Sequence, residues 1–190
     1  MPDGKLYVVS TPIGNLDDIT LRAVNILRDS SLIAAEDTRQ TKKLLNHYDI
    51  STPTLSYFEH NRFTRIPQII NHLNASKDVA VVTDAGTPGI SDPAYKLIRA
   101  AIELNARVEA IPGPSALITA LVASGLPTDR FIFEGFLPHK KGRKGKLERL
   151  ASIEATIILY ESPKRIQRTL RDILESVSYT HLTLPTSDLV

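Results

Sequence analysis

The segment Val79–Pro93 places the tightest constraint on the fold. It begins with Val79-Ala80-Val81-Val82, an apolar run that is typical of a strand buried on both faces. The run passes directly into TDAGTPGISDP, in which Asp92 can cap a helix and Pro93 can fill its first position. A strand that is buried on both faces and followed at once by a helix indicates a parallel sheet covered by helices.

The same alternation of strand and helix runs through the first part of the chain. Short apolar runs predict strands at 5–10, 32–35, 79–82 and 108–111. Apolar spacing predicts helices at 19–28, where Asp17 and Asp18 can act as caps, and at 38–47, 65–73, 94–104 and 115–123. This order predicts an α/β fold, with an N-terminal domain over residues 1–123 built on an open, mostly parallel sheet with flanking helices.

The organisation changes after residue 123, where the turn signal Ser124-Gly125-Leu126-Pro127 begins. Residues 124–176 predict a partial second α/β domain, with strands at 131–134 and 156–160, helices at 146–152 and 163–175, and a basic loop at 138–145. Two strands rarely form a stable sheet alone, so this domain is incomplete. Residues 177–190 contain no Lys or Arg, which indicates either a foreign or aberrant tail or a loosely ordered natural terminus.

Composition excludes several classes of protein. The chain of 190 residues has no cysteine, which excludes disulfides, thiolate nucleophiles and Cys-ligated metals, and its five histidines lack ligand-like spacing, so we expect no metal site. Motifs of dinucleotide-binding proteins, P-loop NTPases, zincins and α/β-hydrolases do not occur. Without a signal peptide or an apolar stretch of about 20 residues, we expect a cytoplasmic protein with no membrane partner.

Three corners rich in Gly and Pro follow predicted strands, namely TPIGNL, TDAGTPGISDP and IPGPSA. Ligands of open α/β sheets bind beyond the carboxyl ends of the strands. Glycine lets the backbone approach a ligand closely, and a helix start offers free N–H groups to an anionic group. The corners therefore predict one wall of a ligand pocket, and the alternative is a set of tight turns without a ligand.

Three charged segments have both a structural and a functional interpretation. Glu36-Asp37-Thr38-Arg39 is either a helix cap with an ion pair or a pair of carboxylates that act on a substrate. Glu59-His60-Asn61-Arg62 is either a solvated loop or a substrate loop. The basic cluster HKKGRKGKLER at 139–149 is either a solvated surface or a phosphate-binding segment, although the formal net charge of the whole chain is only +2.

Five segments together resemble one known family. They are LYVVSTPIGNLDDITLRAVNIL, IAAEDTRQTKKLLNHY, VVTDAGTPGISDP, IPGPSALITALVASGLPTDRFIFEGFLP and YESPKRI, in the family's order over about residues 4–175. They resemble the ribosomal RNA small subunit methyltransferase I family of the tetrapyrrole methylase superfamily. The resemblance implies a two-domain fold with S-adenosyl-L-methionine between the domains. It also implies methyl transfer to the 2′-oxygen of a cytidine of 16S rRNA in the small ribosomal subunit, by a homodimer.

The resemblance also implies roles for individual residues. Those expected to bind the cofactor are Pro12, Gly14, Asn15, Asp84, Ala85, Gly86, Thr87, Pro88, Gly89, Ile90, Ser91, Pro112, Gly113, Pro114, Ser115, Ala116 and Glu134. A ribose hydroxyl is a poor nucleophile, so Asp37 and Glu36 are candidates for a base or a charge-stabilising group. Cations expected to bind RNA are Arg39, Lys140, Lys141, Arg143, Lys144, Lys146, Lys164 and Arg165.

The chain departs from the family near Val177. Members continue further and carry a segment around Ala-Arg-Glu-Leu-Thr-Lys that is not found here, so we expect a C-terminally truncated chain with an unrelated tail. Such a chain is either active or an inactive fragment. Two other functions stay open at this point, namely a tetrapyrrole-precursor methylase on the same fold and a noncatalytic RNA-binding fragment. The basic cluster favours RNA over a small tetrapyrrole.

Overall fold

The computed structural model describes residues 3–176, and the chain divides into two compact units between Ala116 and Leu117. The predicted tail, 177–190, lies outside the described residues. In residues 3–176, no helix combines the length and apolar character needed to cross a membrane.

The first unit is built on a parallel five-stranded sheet with strand order β3-β2-β4-β1-β5. Its strands are β1 (Lys5–Val9), β2 (Leu32–Ala35), β3 (Thr54–Ser56), β4 (Val79–Val82) and β5 (Arg107–Ile111). Its helices are α1 (Leu21–Asp29), α2 (Thr38–His47), α3 (Arg62–Asn74) and α4 (Ala94–Glu103), and a 3₁₀ turn at Leu16–Asp18 precedes α1. The predicted α/β class and parallel sheet are confirmed.

Helices cover both faces of this sheet. On one face, Leu6, Val8 and Val81 pack with residues of α3 and α4, including Leu73 and Leu97. On the other face, strand residues pack with residues of α1 and α2 in a second buried cluster. All four residues of β4 are buried, as their sequence predicts.

The second unit contains a two-stranded parallel sheet and three helices among its described residues. In chain order its elements are α5 (Ala116–Ser124), β6 (Phe131–Phe136), α6 (Arg143–Ala151), β7 (Thr156–Tyr160) and α7 (Ile166–Ser176). Its small core is formed by Leu137, Leu147 and Leu150, against which Ile157 and Ile173 pack. A bulge interrupts the strand register between Phe133 and Gly135.

Two helix starts differ from the sequence expectation. Thr20 caps α1 by accepting a hydrogen bond from the Ala23 N–H at 3.1 Å, whereas Asp17 and Asp18 lie in the 3₁₀ turn before it. Helix α6 begins at Arg143, because Gly142 adopts a positive φ of 80° and ends the turn there. Part of the predicted basic loop is therefore helical.

Candidate functional site

The turns that follow β1 and β4 are joined at the carboxyl edge of the five-stranded sheet. The Thr11 N–H donates to the Gly86 carbonyl at 2.9 Å, and the Gly86 N–H donates to the Thr11 carbonyl at 3.0 Å. The Thr11 hydroxyl also donates to the Thr83 carbonyl at 3.0 Å. These reciprocal bonds bring two of the three predicted corners together.

A chain of hydroxyl groups joins the third corner to them. Ser10 Oγ donates to the Ile111 carbonyl at 3.3 Å and lies 3.1 Å from Thr87 Oγ1. Thr87 Oγ1 in turn donates to the Pro114 carbonyl at 3.2 Å. Sequence reasoning missed the part played by Ser10. The signal for it was a hydroxyl residue at the end of an apolar strand run, where a buried hydroxyl needs a hydrogen-bond partner.

Two glycines are required by this arrangement. A Cβ atom at Gly113 would lie 2.9 Å from the Ser10 Cβ atom, so the two turns pack too closely for any other residue. Gly86 has a φ of 83°, a conformation that residues with a Cβ rarely adopt. Closely packed backbone therefore forms the predicted wall of the ligand pocket.

The turn between β4 and α4 is held from within by Asp92. Its carboxylate accepts hydrogen bonds from the Gly89 N–H at 2.8 Å and from the Ala94 N–H at 2.6 Å. The helix begins one residue later than predicted, with Pro93 at its cap position and Asp92 just before it. Burial raises the pKa of the Asp92 carboxyl above its usual value. The Tyr57 hydroxyl adds a bond to the Pro93 carbonyl at 3.0 Å. Both oxygens of Asp92 are thus committed to holding the turn.

Three carboxylates lie along the same edge, between the ends of β2 and β4. Glu36 Oε2 accepts a hydrogen bond from the Thr83 hydroxyl at 2.7 Å, and Asp84 Oδ1 accepts one from the Asp37 N–H at 3.0 Å. The pKa of the Asp84 carboxyl is raised, first by partial burial and then by the neighbouring negative charges of Glu36 and Asp37. The edge therefore concentrates negative charge beside the glycine turns.

Asp37 differs from its neighbours because Arg39 neutralises it. Its carboxylate accepts a bond from the Arg39 N–H at 2.8 Å, which caps α2, and is paired with the Arg39 guanidinium at 2.8 and 3.1 Å. The Arg39 side-chain and backbone hydrogen bonds lower the pKa of Asp37 to about 2. The structural interpretation of this corner, a cap with an ion pair, is confirmed, and Asp37 is a weak proton acceptor.

The remaining predicted cofactor residues of the first unit lie on the same three turns. Those of the first turn are Pro12, Gly14 and Asn15, and the Asn15 side chain accepts a bond from the Asp17 N–H at 3.1 Å. The others, in the second and third turns, are Ala85, Pro88, Gly89, Ile90, Ser91, Pro112, Ser115 and Ala116. Ser91 has a positive φ of 63°, so a strained backbone lies next to the carboxylate of Asp92.

In the second unit, the side chain of Arg143 is buried, whereas the sequence predicts a cation that binds RNA. Its side chain is 8% exposed and donates to Asp172 at 2.6 Å, to Thr169 Oγ1 at 2.7 Å and to the Pro138 carbonyl at 3.2 Å. A guanidinium held in this way between α6 and α7 does not reach a ligand at the surface. The expectation that Arg143 contacts RNA is corrected for that reason.

The other predicted cations of this unit fall into two groups. Lys146 is paired with Glu134 at 2.7 Å, beside the bulge of β6, and Arg165 is paired with Glu161 at 2.8 Å. Exposed side chains belong to Lys140, Lys141, Lys144 and Lys164. The exposed lysines are therefore the ones available to phosphates.

Sequence reasoning also missed Glu161. Its carboxylate is 4% exposed and accepts a bond from the Thr169 hydroxyl at 2.7 Å. Burial alone would raise its pKa, but hydrogen bonds from Thr169 and the Ser162 N–H, with the charges of Arg165 and Arg143, lower the pKa overall. The only signal was an acidic residue directly after a predicted strand.

The chain matches a family model and several curated proteins. The model describes tetrapyrrole (corrin/porphyrin) methylases and matches residues 5–185. A protein of Halalkalibacterium halodurans named ribosomal RNA small subunit methyltransferase I is 51% identical over 95% of this chain and 63% of its own length. A protein of Thermotoga maritima with the same name is 51% identical over 92% of this chain and 78% of its own. The chain thus spans less than two thirds of the length of the Halalkalibacterium relative.

A solved structure agrees with the fold. The X-ray structure of cobalt precorrin-4 methyltransferase, a cobalamin biosynthetic enzyme, has a TM-score of 0.70 and covers 92% of this chain and 76% of its own. Its sequence identity is 17%, so this likeness concerns the fold alone. Together with the joined turns at the carboxyl edge, the family match over residues 5–185 shows that the chain belongs to the tetrapyrrole (corrin/porphyrin) methylase family.

Proposed function

We propose that the chain is an S-adenosyl-L-methionine-dependent methyltransferase that acts on the 2′-oxygen of a cytidine in 16S rRNA. The observation that carries the proposal is the set of three turns joined through Thr11, Gly86 and Thr87 at the carboxyl edge of a methylase sheet. Ribosomal RNA is proposed as the substrate because two relatives that are 51% identical to this chain are named ribosomal RNA small subunit methyltransferase I.

The donor set at this edge suits such a cofactor. The carboxylate of Asp84 can face a cationic group or a ribose hydroxyl, and the start of α5 at Ala116 offers N–H groups to a carboxylate. The cofactor residues of the first unit named above would hold it, and the close backbone packing at Gly86 and Gly113 would shape its wall. When bound, the cofactor supplies a methyl group that a sulfonium has already activated.

The protein's own contribution is alignment and proton handling. The joined turns would hold the cofactor in one position, so that an aligned acceptor oxygen reacts without a covalent intermediate on the protein. Of the two candidate carboxylates, Glu36 suits the proton acceptor, because Thr83 holds one of its oxygens. Asp37 suits a fixed charge that orients Arg39, because its pKa is about 2. Phosphates would be held by Arg39, Lys140, Lys141, Lys144 and Lys164.

Measuring the turnover of two variants separates the roles of Asp37 and Glu36. Asp37→Asn keeps a good helix cap and removes the charge, so turnover should fall while cofactor affinity stays the same. Glu36→Gln should lower turnover further, because it removes the proton acceptor. Unchanged turnover in either variant would remove that residue from the mechanism.

The experiment that tests the function is methyl transfer from labelled S-adenosyl-L-methionine to small ribosomal subunits that lack the modification, followed by mapping of the label. We expect the label on a cytidine 2′-oxygen. Label on a tetrapyrrole precursor instead would identify a methylase of small molecules. RNA binding without saturable cofactor binding would identify a noncatalytic RNA-binding fragment.

Three further expectations belong to this proposal. The resemblance implies a homodimer and a cytoplasmic protein, and the domains are proposed to be 1–123 and 124–176. Light scattering of the purified chain measures its mass in solution, and a mass of one chain would contradict the dimer.

A further inference from the structure

The segment from the end of β3 to the first turn of α3 exposes aromatic side chains. Phe63 is 77% exposed and Phe58 is 37% exposed, while Tyr57 between the strand and the turn is buried. Single exposed apolar residues are common, but two phenylalanines five residues apart in one short segment call for a partner that covers them. We define Tyr57–Phe63 as the aromatic turn.

The aromatic turn begins beside the proposed catalytic carboxylates. The Tyr57 N–H donates to the Ala35 carbonyl at 2.7 Å, and Glu36 and Asp37 follow Ala35 directly. Adjacent strands lie about 4.8 Å apart, so the turn starts one strand spacing from the carboxylates. The first residue of the aromatic turn therefore lies close to the backbone that carries Glu36.

Polar contacts hold the aromatic turn in one shape. Asn61 accepts a hydrogen bond from the Phe58 N–H at 2.9 Å and donates one to the Ser56 carbonyl at 3.0 Å. Glu59 forms an ion pair with Arg62 across the turn. A preformed surface loses little conformational entropy on binding, which favours recognition over accidental exposure.

One face of the Phe63 ring is already occupied by a cation. The Arg62 guanidinium lies 4.7 Å from the ring centroid, and yet most of the Phe63 side chain is exposed. The opposite face is therefore open, and a planar ring placed there would continue the stack. An open aromatic face beside an arginine is an arrangement that binds unpaired bases of single-stranded nucleic acids.

We propose that the aromatic turn stacks an unpaired base of the RNA substrate on Phe63, next to the ribose presented to Glu36. This inference rests on the proposed function and names the contact that would place the RNA at the site. Stacking needs no hydrogen bond to the base, so the contact positions the RNA and leaves the choice of sequence to other residues.

The test compares Phe63 variants in equilibrium binding to small ribosomal subunits that lack the modification. Phe63→Ala should weaken binding by about 5- to 150-fold, the usual range for losing one base–aromatic stack. Phe63→Tyr should retain wild-type affinity, whereas Phe63→Leu should behave like alanine, because it has apolar area without an aromatic face. Affinity for S-adenosyl-L-methionine should be unchanged in all three.

The control is Ile102→Ala. Ile102 is also exposed, but it lies near the end of α4, and that helix runs away from the carboxyl edge. It should bind the subunits like wild type. If wild type binds them and Phe63→Ala binds equally well, the stacking inference is wrong and the proposed function stands.

Two other outcomes would also overturn the inference. If wild type does not bind the subunits, the proposed function and the stacking contact fall together. If Phe63→Leu binds like wild type, or Phe63→Ala converts a dimer into a monomer in light scattering, the turn is an apolar protein interface.

Discussion

A substitution at Gly113 tests how closely the turns pack against each other. In Gly113→Ala the new methyl group would meet the Ser10 Cβ atom at 2.9 Å, and Ser10 is buried and cannot move freely. We expect a loss of stability of about 1–3 kcal/mol from overpacking, and weaker cofactor binding. Urea denaturation and calorimetric titration with S-adenosyl-L-methionine measure the two effects.

Gly145→Ala is the matched control for that substitution. Gly145 lies inside α6, and apart from its chain neighbours and the backbone of its own helix no described atom is within 4 Å of the position its Cβ would take. Because glycine is a poor helix former, this change should be neutral or stabilise by up to about 1 kcal/mol. Equal losses in the two variants would contradict the account of Gly113.

Asp37 gives a prediction about pH. The folded protein should titrate this carboxyl with a midpoint of about 2, and Arg39→Gln should move the midpoint towards 3.8. Since the folded state favours the ionised form, the contribution of this pair to stability is complete above the unfolded pKa near 4. It is lost as the pH falls through about 2. Carboxyl NMR chemical shifts follow the titration directly, and a midpoint near 3.8 in the wild type would contradict the pairing.

At the residue scale, the sequence predicted where the turns lie better than it predicted which side chains bond to one another. The start of α4 was predicted to within one residue because Asp-Pro before an apolar spacing is a local signal. The inward orientation of Arg143 was not identifiable, because its partner Asp172 is 29 residues away along the chain. The sequence shows that the cluster is positively charged. Which of its side chains is buried depends on how α6 packs on α7.

The pairing of helices α6 and α7 depends on Arg143. In Arg143→Ala, Asp172 would lose its closest cation, and Glu161, which is almost fully buried, would keep only Arg165. Breaking one partner of a buried ion pair typically costs about 3–5 kcal/mol, so the second unit should unfold at lower urea concentration. Hydrogen exchange of α6 and α7 would show whether the loss is confined to them.

Lys144→Ala provides the comparison on the same helix. Lys144 is exposed and lies 3.8 Å from Glu148, a surface pair of the kind that contributes little. We expect a change within about 0.5 kcal/mol. If the two variants unfold alike, Arg143 does not hold the helices together.

Strand β3 shows what a local pattern cannot predict. Thr54-Leu55-Ser56 is only half buried, and three residues are too few to show the alternation of apolar and polar residues that predicts a strand. It is a strand because Leu55 and Ser56 pair with Ala34 and Ala35 of β2, at the edge of a sheet that already exists. The longer elements β4 and α2 were predicted with their observed bounds, since their own residues decide their structure.

For the whole molecule, the distribution of charge matters more than its sum. The formal net charge is +2, but the exposed lysines of the basic cluster stand close together along the chain. Changing Lys140 and Lys141 to Ala should lower the slope of log affinity against log salt by about 0.7 for each lost contact with single-stranded RNA. Phe63→Ala should leave that slope unchanged, since it removes no charge.

Lys77→Ala controls for the loss of charge alone. Lys77 is exposed and precedes β4, at the opposite edge of the sheet from the joined turns. Its loss should not alter the salt dependence. If it lowers the slope as much as the loss of Lys140, general attraction rather than a defined contact holds the RNA.

The wall of the proposed cofactor site is discontinuous in sequence. Thr11, Gly86 and Pro114 come from three separate strand–helix connections, and their bonds exist only when β1, β4 and β5 are all paired. A ligand held there recognises the completed sheet and has no site on the unfolded chain. Each tenfold excess of free ligand over its dissociation constant then adds about 1.4 kcal/mol to the stability of the first unit. The supply of methyl donor in the cell would thus set how long this part of the chain resists proteolysis.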